Sequence, residues 1–260
     1  MPTYAILGAT GYTGRSILTL LLKDPNNKVH AYVRSKSKLL SQRPDIEANK
    51  EVKIFEGALN DVPLLASCLS NVDTVFSVLG ENDNTPGMRI GEDGAQALVA
   101  ALTHLKFATE MEHVPGIIML SSSSVNPGMM AHKPRVVKSI VGTAFSNAYA
   151  DLRHAEAYLR LHKSWLSVTF IQPGALTEDE QKGHTLSTEH TGDGFVSYLD
   201  LAAGMIEVAN SGGYGWMGVS VNPTGKDVKF EWKAPKQVAR GLVWHFAPSL
   251  GWAMKHMGLF

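Results

Sequence analysis

The sequence has few of the features that mark secreted, disulfide-rich or membrane-spanning proteins. Among its 260 residues there is one cysteine, Cys68, so an intrachain disulfide is excluded and a reducing, cytoplasmic location is expected. Cys68 stands among leucines and is predicted to be a small core residue rather than a reactive thiol. No apolar run reaches the roughly 18 residues that cross a bilayer, so no transmembrane segment is expected. The first residues run directly into a predicted strand, so no signal peptide is expected either.

The sequence also lacks an excess of charge of one sign. Lys plus Arg and Asp plus Glu both number 24, so the formal net charge is zero and no nucleic-acid partner is predicted from a bulk positive field. The ten histidines form no His-x-x-x-His pair and no cluster with cysteine, so no metal site is predicted. Hydrophobic residues make up 44% of the chain, which is enough for a complete core.

Apolar segments and helical patterns alternate along most of the chain. The predicted strands cover residues 3–7, 29–33, 52–55, 74–79, 116–120, 167–171 and 217–221, and the predicted helices cover 14–23, 62–69, 95–107, 151–162 and 200–208. Strands that are apolar throughout are typical of a sheet buried on both faces. The pattern predicts an α/β fold of the Rossmann type, a doubly wound parallel sheet with helices on both faces.

One such domain is expected to occupy residues 1–260, and residues 174–260 are expected to form a small C-terminal region that covers the substrate. The stretch 177–194 is polar and has no periodicity, so it is predicted to be a loop over the site. Residues 241–260 are rich in Trp and Met. Core or subunit packing, a homodimer face, a hydrophobic substrate lid and contact with a membrane surface are all left open for this tail.

Three glycines separate the first predicted strand from the first predicted helix. Gly8 would allow a sharp turn out of the strand, Gly11 would let the backbone approach a diphosphate, and Gly14 would let the helix pack on the sheet. The start of that helix offers free N–H groups and a partial positive charge. The spacing therefore predicts that this loop binds the pyrophosphate of a nicotinamide dinucleotide. A glycine turn without a ligand is the alternative.

The end of the second predicted strand indicates which nicotinamide cofactor is bound. Sites selective for NAD usually have an acidic residue there, which binds the ribose hydroxyls. Here Arg34 follows the strand, Lys36 and Lys38 come next, and no Asp or Glu occurs between Lys28 and Pro44. A guanidinium beside two ammonium groups suits a 2′-phosphate. NADP(H) is therefore predicted and NAD is less favoured; a solvated edge is the alternative interpretation of these cations.

From residue 3 to residue 209 the chain resembles the atypical short-chain dehydrogenase/reductase family, especially its NmrA-like and flavin-reductase-like branch. The resemblance rests on the glycine loop and on Arg34 at the end of the second strand. It extends to Gly-Ala-Leu-Asn-Asp at 57–61, Ser-Val-Leu-Gly at 77–80, Gln-Pro-Gly at 172–174 and Ser-Tyr-Leu-Asp-Leu-Ala at 197–202. In the third of these segments the family has Arg in place of Gln.

The glycine loop, the cations at the strand end and the family resemblance together give a set of expected cofactor-binding residues. They are Gly8, Thr10, Gly11, Tyr12, Thr13, Gly14, Arg34, Lys38, Leu59, Asp61, Val78, Leu79, Gly80, Ser121 and Pro173. The resemblance implies that Asp61 stands at the family's acidic position along the adenine.

The resemblance also implies where the chemistry takes place. Family members that reduce carbonyls usually have a Ser after the fifth strand and a Tyr-x-x-x-Lys on the next helix. The Tyr donates a proton, the Lys lowers the pKa of the Tyr, and the Ser orients the carbonyl. Four serines follow the fifth predicted strand here, and Ser122 or Ser123 is expected to face the nicotinamide. Tyr149 is the expected proton donor. Arg153 replaces the Lys; it could still lower the pKa of Tyr149 but cannot relay a proton.

Plainer interpretations of these two residues remain. Tyr149 could be an aromatic residue that packs on the sheet at a helix start, and Arg153 could form only a surface ion pair with Glu156. The function predicted from the sequence is an NADP(H)-dependent oxidoreductase that acts on a small or medium apolar carbonyl or enone. A non-catalytic NADP(H)-sensing regulator and a non-redox isomerase that keeps the cofactor are the alternatives.

Overall fold

The structure is a computed structural model, and it describes residues 1–81, 83–108, 113–225 and 227–259. Its strands are β1 (Thr3–Leu7), β2 (Lys28–Val33), β3 (Val52–Glu56), β4 (Thr74–Ser77), β5 (Gly116–Leu120), β6 (Val168–Ile171), β7 (Ala175–Thr177), β8 (His184–Ser187), β9 (Phe195–Ser197) and β10 (Gly218–Pro223). Its helices are α1 (Tyr12–Leu21), α2 (Lys36–Gln42), α3 (Val62–Leu69), α4 (Ile90–Ala108), α5 (Arg135–Ala144), α6 (Ser146–Arg160), α7 (Tyr198–Ser211), α8 (Ala234–Phe246) and α9 (Pro248–His256).

Eight of the described strands form one sheet in the order β3-β2-β1-β4-β5-β6-β10-β8. Neighbouring strands run parallel except at the edge, where β8 is antiparallel to β10. The strand order reverses between β1 and β4, because the chain builds outward to β3 and then returns. Open α/β sheets bind their ligands in the crevice at such a reversal, outside the carboxyl ends of the strands. The predicted doubly wound sheet is confirmed.

Helices cover both faces of this sheet. On one face α3, α4 and α6 pack through buried residues such as Leu65, Leu98 and Leu159. On the other face α1 and α7 pack through residues such as Ile17 and Met205. Every residue of β1 is buried, as a strand between two helical layers must be. The carboxyl ends of the central strands are therefore fixed by a core on each side.

Helix α6 begins at Ser146, earlier than the predicted start at residue 151, and this places Tyr149 inside the helix. The reason is a cap from a distant part of the chain. The side-chain oxygen of Asn84 accepts hydrogen bonds from the backbone N–H groups of Asn147 and Ala148. A cap that lies this far away in the sequence leaves no local signal before the helix.

The prediction of a structureless loop over residues 177–194 is wrong in part, because strand β8 lies within it. β8 is short and pairs on one side only, so its polar sequence carries no alternating pattern. The stretch before β8 is held by Asp200, whose carboxylate accepts hydrogen bonds from the backbone N–H groups of Lys182 and Gly183.

The C-terminal tail forms the helices α8 and α9. Trp244 of α8 is almost completely buried and packs edge-to-face on Trp252 of α9. Phe260, the last residue of the predicted apolar tail, lies outside the described residues. None of the helices in the described part of the chain has the length and apolarity of a membrane span.

Candidate cofactor site and active site

The loop between β1 and α1 is held in its shape by two glycines. Gly8 has a φ of +98°, and a Cβ atom there would lie 2.9 Å from the carbonyl oxygen of Val78. A Cβ atom at Gly14 would lie 2.3 Å from the carbonyl oxygen of Gly8, so the first turn of α1 packs directly on the loop. No side chain fits at either position.

The start of α1 has the donor set that a diphosphate needs. Gly11 is the N-cap residue, and it supplies no side-chain hydrogen bond to the helix. The N–H groups of Tyr12, Thr13 and Gly14 belong to the first turn, where an α-helix has no internal acceptors for them. There is no acidic residue in this turn. Thr10 lies in the same loop, just before Gly11. These groups fit a bound pyrophosphate.

The cations predicted to select the cofactor follow β2 on the surface. Arg34, Lys36 and Lys38 are all exposed, and their side chains form no ion pair with the acidic groups that the structure describes. Sequence reasoning missed a neighbouring acid, Glu56, which ends β3 opposite Val33 of β2. Its carboxylate accepts a hydrogen bond of 3.0 Å from the backbone N–H of Lys36. The sequence signal that could have revealed Glu56 is its position at the end of β3, the strand next to β2.

The segment after β3 is anchored by its own hydrogen bonds. Asp61 caps α3, because its carboxylate accepts a hydrogen bond from the N–H of Leu64. The Tyr32 hydroxyl donates to the carbonyl of Ala58 at 2.7 Å, and burial raises the pKa of Tyr32 to about 12. Leu59 lies between these two anchors. The segment therefore has a fixed path along the carboxyl edge of the sheet.

Regular strand β4 ends at Ser77, two residues before the predicted end. Val78, Leu79 and Gly80 follow it as an extended segment beside the glycine loop, because the N–H of Val78 donates to the carbonyl of Leu7. Around Gly80 the protein leaves open space. These residues border the crevice between β1 and β4, where the resemblance places the cofactor.

The four serines after β5 have different surroundings. Ser121 donates a hydrogen bond of 2.6 Å to the carboxylate of Glu156. Ser123 is buried, and its N–H donates to the carbonyl of Pro173. Ser122 caps the helical turn formed by Ser123–Val125. Of the two serines that the sequence left open, Ser123 is thus enclosed by the protein while Ser122 is only partly buried.

Tyr149 lies against this serine turn. The side-chain hydroxyls of Ser122 and Ser124 lie near its hydroxyl. Burial raises the pKa of Tyr149 above its usual value, and the two serine hydroxyls oppose that rise only in part. The structure therefore brings together Ser122 and Tyr149, and adds Ser124, which the sequence analysis did not single out.

Arg153 does not join this cluster. Its side chain is exposed, and no charged group is among the causes of the raised pKa of Tyr149. The expected lowering of the tyrosine pKa is therefore not found. The alternative ion pair of Arg153 with Glu156 is also absent from the described residues, because Glu156 faces Ser121 and has Arg160 at 3.8 Å.

Glu156 is part of a polar network that sequence reasoning missed. Gln172 donates a hydrogen bond of 3.0 Å to the Glu156 carboxylate, and Asn126 donates one of 2.9 Å to the Gln172 side-chain oxygen. The sequence signal that could have indicated this network is Gln172, which stands where the family has Arg. A neutral amide here can accept from Asn126 and donate to Glu156 at once, which Arg cannot do.

A buried carboxylate fixes helix α6 against α4. Asp151 accepts hydrogen bonds from the N–H groups of Gly91 and Glu92, at 2.8 and 2.9 Å. It thereby caps the start of α4, where the first N–H groups have no acceptor within the helix. Together with the Asn84 cap, this contact sets the position of Tyr149 relative to the crevice.

The late motif at 197–202 supplies the N-cap and the first turn of helix α7. Ser197 accepts a hydrogen bond from the N–H of Asp200, and the Ser197 hydroxyl donates to the Asp200 carboxylate. Tyr198 stacks on Tyr12, with 5.1 Å between the ring centroids. The motif therefore joins α7 to the start of α1.

Comparison with known proteins agrees with this arrangement. The NAD(P)H-binding family matches residues 8–211. The chain is 42% identical to the oxidoreductase ordB of Dothistroma septosporum, over 99% of this chain and 96% of that protein. It is 43% identical to the oxidoreductase aflX of Aspergillus parasiticus, with the same shares covered.

Solved structures show the same fold at low sequence identity. A short-chain dehydrogenase/reductase of Veillonella parvula in complex with NADP has a TM-score of 0.68 and 19% identity, and the match covers 87% of this chain and 97% of that one. The anaerobillin reductase ChuY of Escherichia coli O157:H7 has a TM-score of 0.63 and 18% identity, over 88% and 100% of the two chains. The chain belongs to the NAD(P)H-binding family and is an oxidoreductase.

Proposed function

We propose that this chain is an NADP(H)-dependent reductase of a small or medium apolar carbonyl or enone. The observation that carries the proposal is the contact of Tyr149 with Ser122 at the carboxyl edge of the sheet, close to the crevice between β1 and β4. Two hydroxyl groups at this position can hold the oxygen of a carbonyl.

Arg34, Lys36 and Lys38 support NADP(H) as the cofactor. They are exposed cations at the end of β2, without acidic partners among the described side chains. A 2′-phosphate would supply the missing anion. The structural neighbour from Veillonella parvula holds NADP, which is consistent with this choice. When bound, the reduced nicotinamide supplies a hydride, and the glycine loop would hold the diphosphate.

The chain's own residues would then handle the proton. Because its pKa is raised, Tyr149 stays protonated at neutral pH and can donate a hydrogen bond to the carbonyl oxygen. As the carbonyl carbon accepts the hydride, the oxygen gains negative charge and takes the phenolic proton. Ser122 would orient the same oxygen, and Ser124 lies in position to return a proton to Tyr149 from solvent. Arg153 has no part in this scheme.

Apolar surroundings support an apolar substrate. The ring of Phe145 lies 5.8 Å from that of Tyr149, and Met130 lies against the buried Ser123.

An ion pair of Lys133 with Asp193 joins the loop after the serines to the loop before β9. We infer that residues 174–260 supply the substrate side of one domain, with these two loops as its wall.

The exposed position of Arg153 favours one alternative, a non-catalytic NADP(H)-sensing regulator. The test is NADPH consumption with a panel of quinones, enones and aldehydes. Reduction should occur, and Tyr149→Phe should lower kcat by about 10²-fold or more, since general acid catalysis contributes on that order. Ser122→Ala should lower it as well, while Ser123→Ala serves as the matched control. Tight binding of NADPH without turnover would indicate the regulator, and substrate conversion without NADPH consumption the isomerase.

A further inference from the structure

Helices α5, α8 and α9 form a surface whose charge differs from that of the whole chain. Helix α8 packs on both α5 and α9, with Gly241 against Ala144 and Gly251 against Trp244. The three helices contain no Asp or Glu, although the chain as a whole has zero net charge. Their Lys and Arg residues are Arg135, Lys138, Lys236, Arg240 and Lys255. We call these three helices the basic face.

Most of this positive charge is not neutralised within the protein. Arg240 pairs with Asp83 at 2.6 Å. The other four cations form no ion pair with any acidic side chain that the structure describes. Four cations without acidic partners on three adjacent helices attract an anionic surface, such as a bilayer with negatively charged headgroups.

The same helices expose large apolar side chains. Phe246 is 75% exposed and Val136 is 68% exposed. Ile140, one turn after Val136, is exposed too, as are Leu250 and Trp252. Exposed apolar groups beside cations are typical of helices that lie in the interface of a membrane.

Trp252 illustrates how the two properties combine. The Lys255 ammonium lies 5.5 Å from the centroid of the Trp252 ring. An exposed indole with a cation over its ring is suited to the level of lipid headgroups, where apolar and charged groups meet.

We propose that the basic face binds the surface of membranes rich in anionic phospholipid. The cations would contact lipid phosphates and carboxylates, while the exposed apolar side chains enter the outer part of the acyl layer. This is binding to a surface by folded helices, distinct from spanning the bilayer.

The charge of the basic face also disfavours an alternative binding partner for this surface, namely a second copy of the chain. A two-fold symmetric contact brings each surface against its own copy. The four cations without ion pairs in one protomer would then share a single interface with those of its partner, and these like charges repel each other. An anionic lipid surface has the opposite charge and no such penalty.

The basic face is also close to the proposed active site. Helix α5 contacts the serine turn before it and α6 after it, the helix that carries Tyr149. If the proposed function holds, membrane binding would bring the substrate entrance near the acyl layer, where apolar metabolites accumulate. The binding itself does not depend on the proposed function.

The test is sedimentation of the full chain with vesicles, using phosphatidylcholine alone and phosphatidylcholine with about a third phosphatidylserine. The protein should sediment with the mixed vesicles in about 0.1 M salt, remain in solution with the neutral ones, and dissociate in about 0.5 M salt. The variant Lys236→Glu/Lys255→Glu should lower the partition coefficient by about tenfold or more. The matched control Lys53→Glu/Lys163→Glu, which reverses two exposed lysines outside the basic face, should bind as the natural chain does.

A second variant, Phe246→Ser/Leu250→Ser, leaves every cation in place and should also weaken binding, because the apolar contact is lost. Sedimentation with neither vesicle, or equally with both, would overturn the proposal. So would a dimer in solution that each basic-face variant converts to a monomer. NADPH binding by all variants, measured in parallel, separates these outcomes from misfolding and from failure of the proposed function.

Discussion

The side-chain oxygen of Asn84 accepts a hydrogen bond of 2.7 Å from the backbone N–H of Asn147 and so caps the helix that carries Tyr149. Asn84 lies in the loop after β4 and is almost fully buried. The Asn147 side chain returns a hydrogen bond to the Asn84 carbonyl at 2.9 Å. Two asparagines thus connect the end of β4, which borders the cofactor crevice, to the helix that carries Tyr149, the proposed proton donor.

Replacement of Asn84 should therefore affect both stability and catalysis. Asn84→Ala should lower the free energy of unfolding by about 1–2 kcal/mol, the usual range for a lost helix cap. It should also lower kcat more than it raises the KM for NADPH, because Tyr149 would lose its fixed position. Urea unfolding and steady-state kinetics measure the two effects. Asn84→Asp keeps the oxygen acceptor and should restore most of kcat; a loss of stability with unchanged kcat would count against a positioning role.

Replacement of Arg34 should affect the binding of NADPH much more than that of NADH. Arg34→Ala removes a charged donor to the 2′-phosphate, which is worth about 1.5–3 kcal/mol. The KM for NADPH should rise by about 10- to 100-fold, and the KM for NADH should change little. Lys53→Ala, an exposed lysine on the adjacent strand β3, serves as the control. Equal changes with both cofactors would contradict recognition of the 2′-phosphate.

The raised pKa of Tyr149 gives a prediction about pH. A phenol with a pKa above its usual value near 10 keeps its proton through neutral and moderately alkaline solution. The kcat for reduction should therefore show no alkaline fall between about pH 7 and pH 9, and should decline only above the usual pKa of tyrosine. A decline centred near pH 7 or 8 that disappears in Tyr149→Phe would mean that a cation lowers the pKa, as in family members with lysine.

Two glycines of the loop should respond differently to the same substitution. A methyl group at Gly14 would meet the carbonyl oxygen of Gly8 at 2.3 Å, and backbone cannot move away easily. Gly14→Ala should destabilise the fold by about 3 kcal/mol or more. At Gly11 the same methyl would lie 3.4 Å from the Gly8 carbonyl oxygen, an ordinary contact. Gly11→Ala should therefore have nearly the same midpoint of urea unfolding as the natural chain. Equal destabilisation by both substitutions would contradict the close contact between Gly14 and the Gly8 carbonyl.

The parts of the fold that were predictable have local causes. The glycine loop, the apolar strands and the cations after β2 each show in a few consecutive residues, and the sheet order confirms the fold they indicate. The early start of α6 was not predictable, because its cap comes from Asn84. Strand β8 was missed because edge pairing with β10 needs no hydrophobic alternation.

The candidate site shows the same division. Tyr149 and a serine after β5 could be named from the motif, yet the sequence could not separate Ser122 from Ser123. That choice depends on the helical turn at Ser123–Val125, which buries one hydroxyl and leaves the other facing Tyr149. The surroundings of Arg153 could not be predicted from its spacing. A separation of one helical turn fixes the distance between Arg153 and Tyr149 along the helix axis, but it does not fix whether the Arg153 side chain is exposed.

The proposed function requires that the first turn of α1 binds the diphosphate of NADPH. Calorimetric titration of NADPH into the folded full chain, with Gly11→Ala in parallel, tests it most directly. The natural chain should bind with a Kd in the micromolar range, about −8 kcal/mol, and Gly11→Ala should bind at least tenfold more weakly with its fold intact. Absence of heat at about millimolar NADPH, or identical binding by the two chains, would contradict the claim.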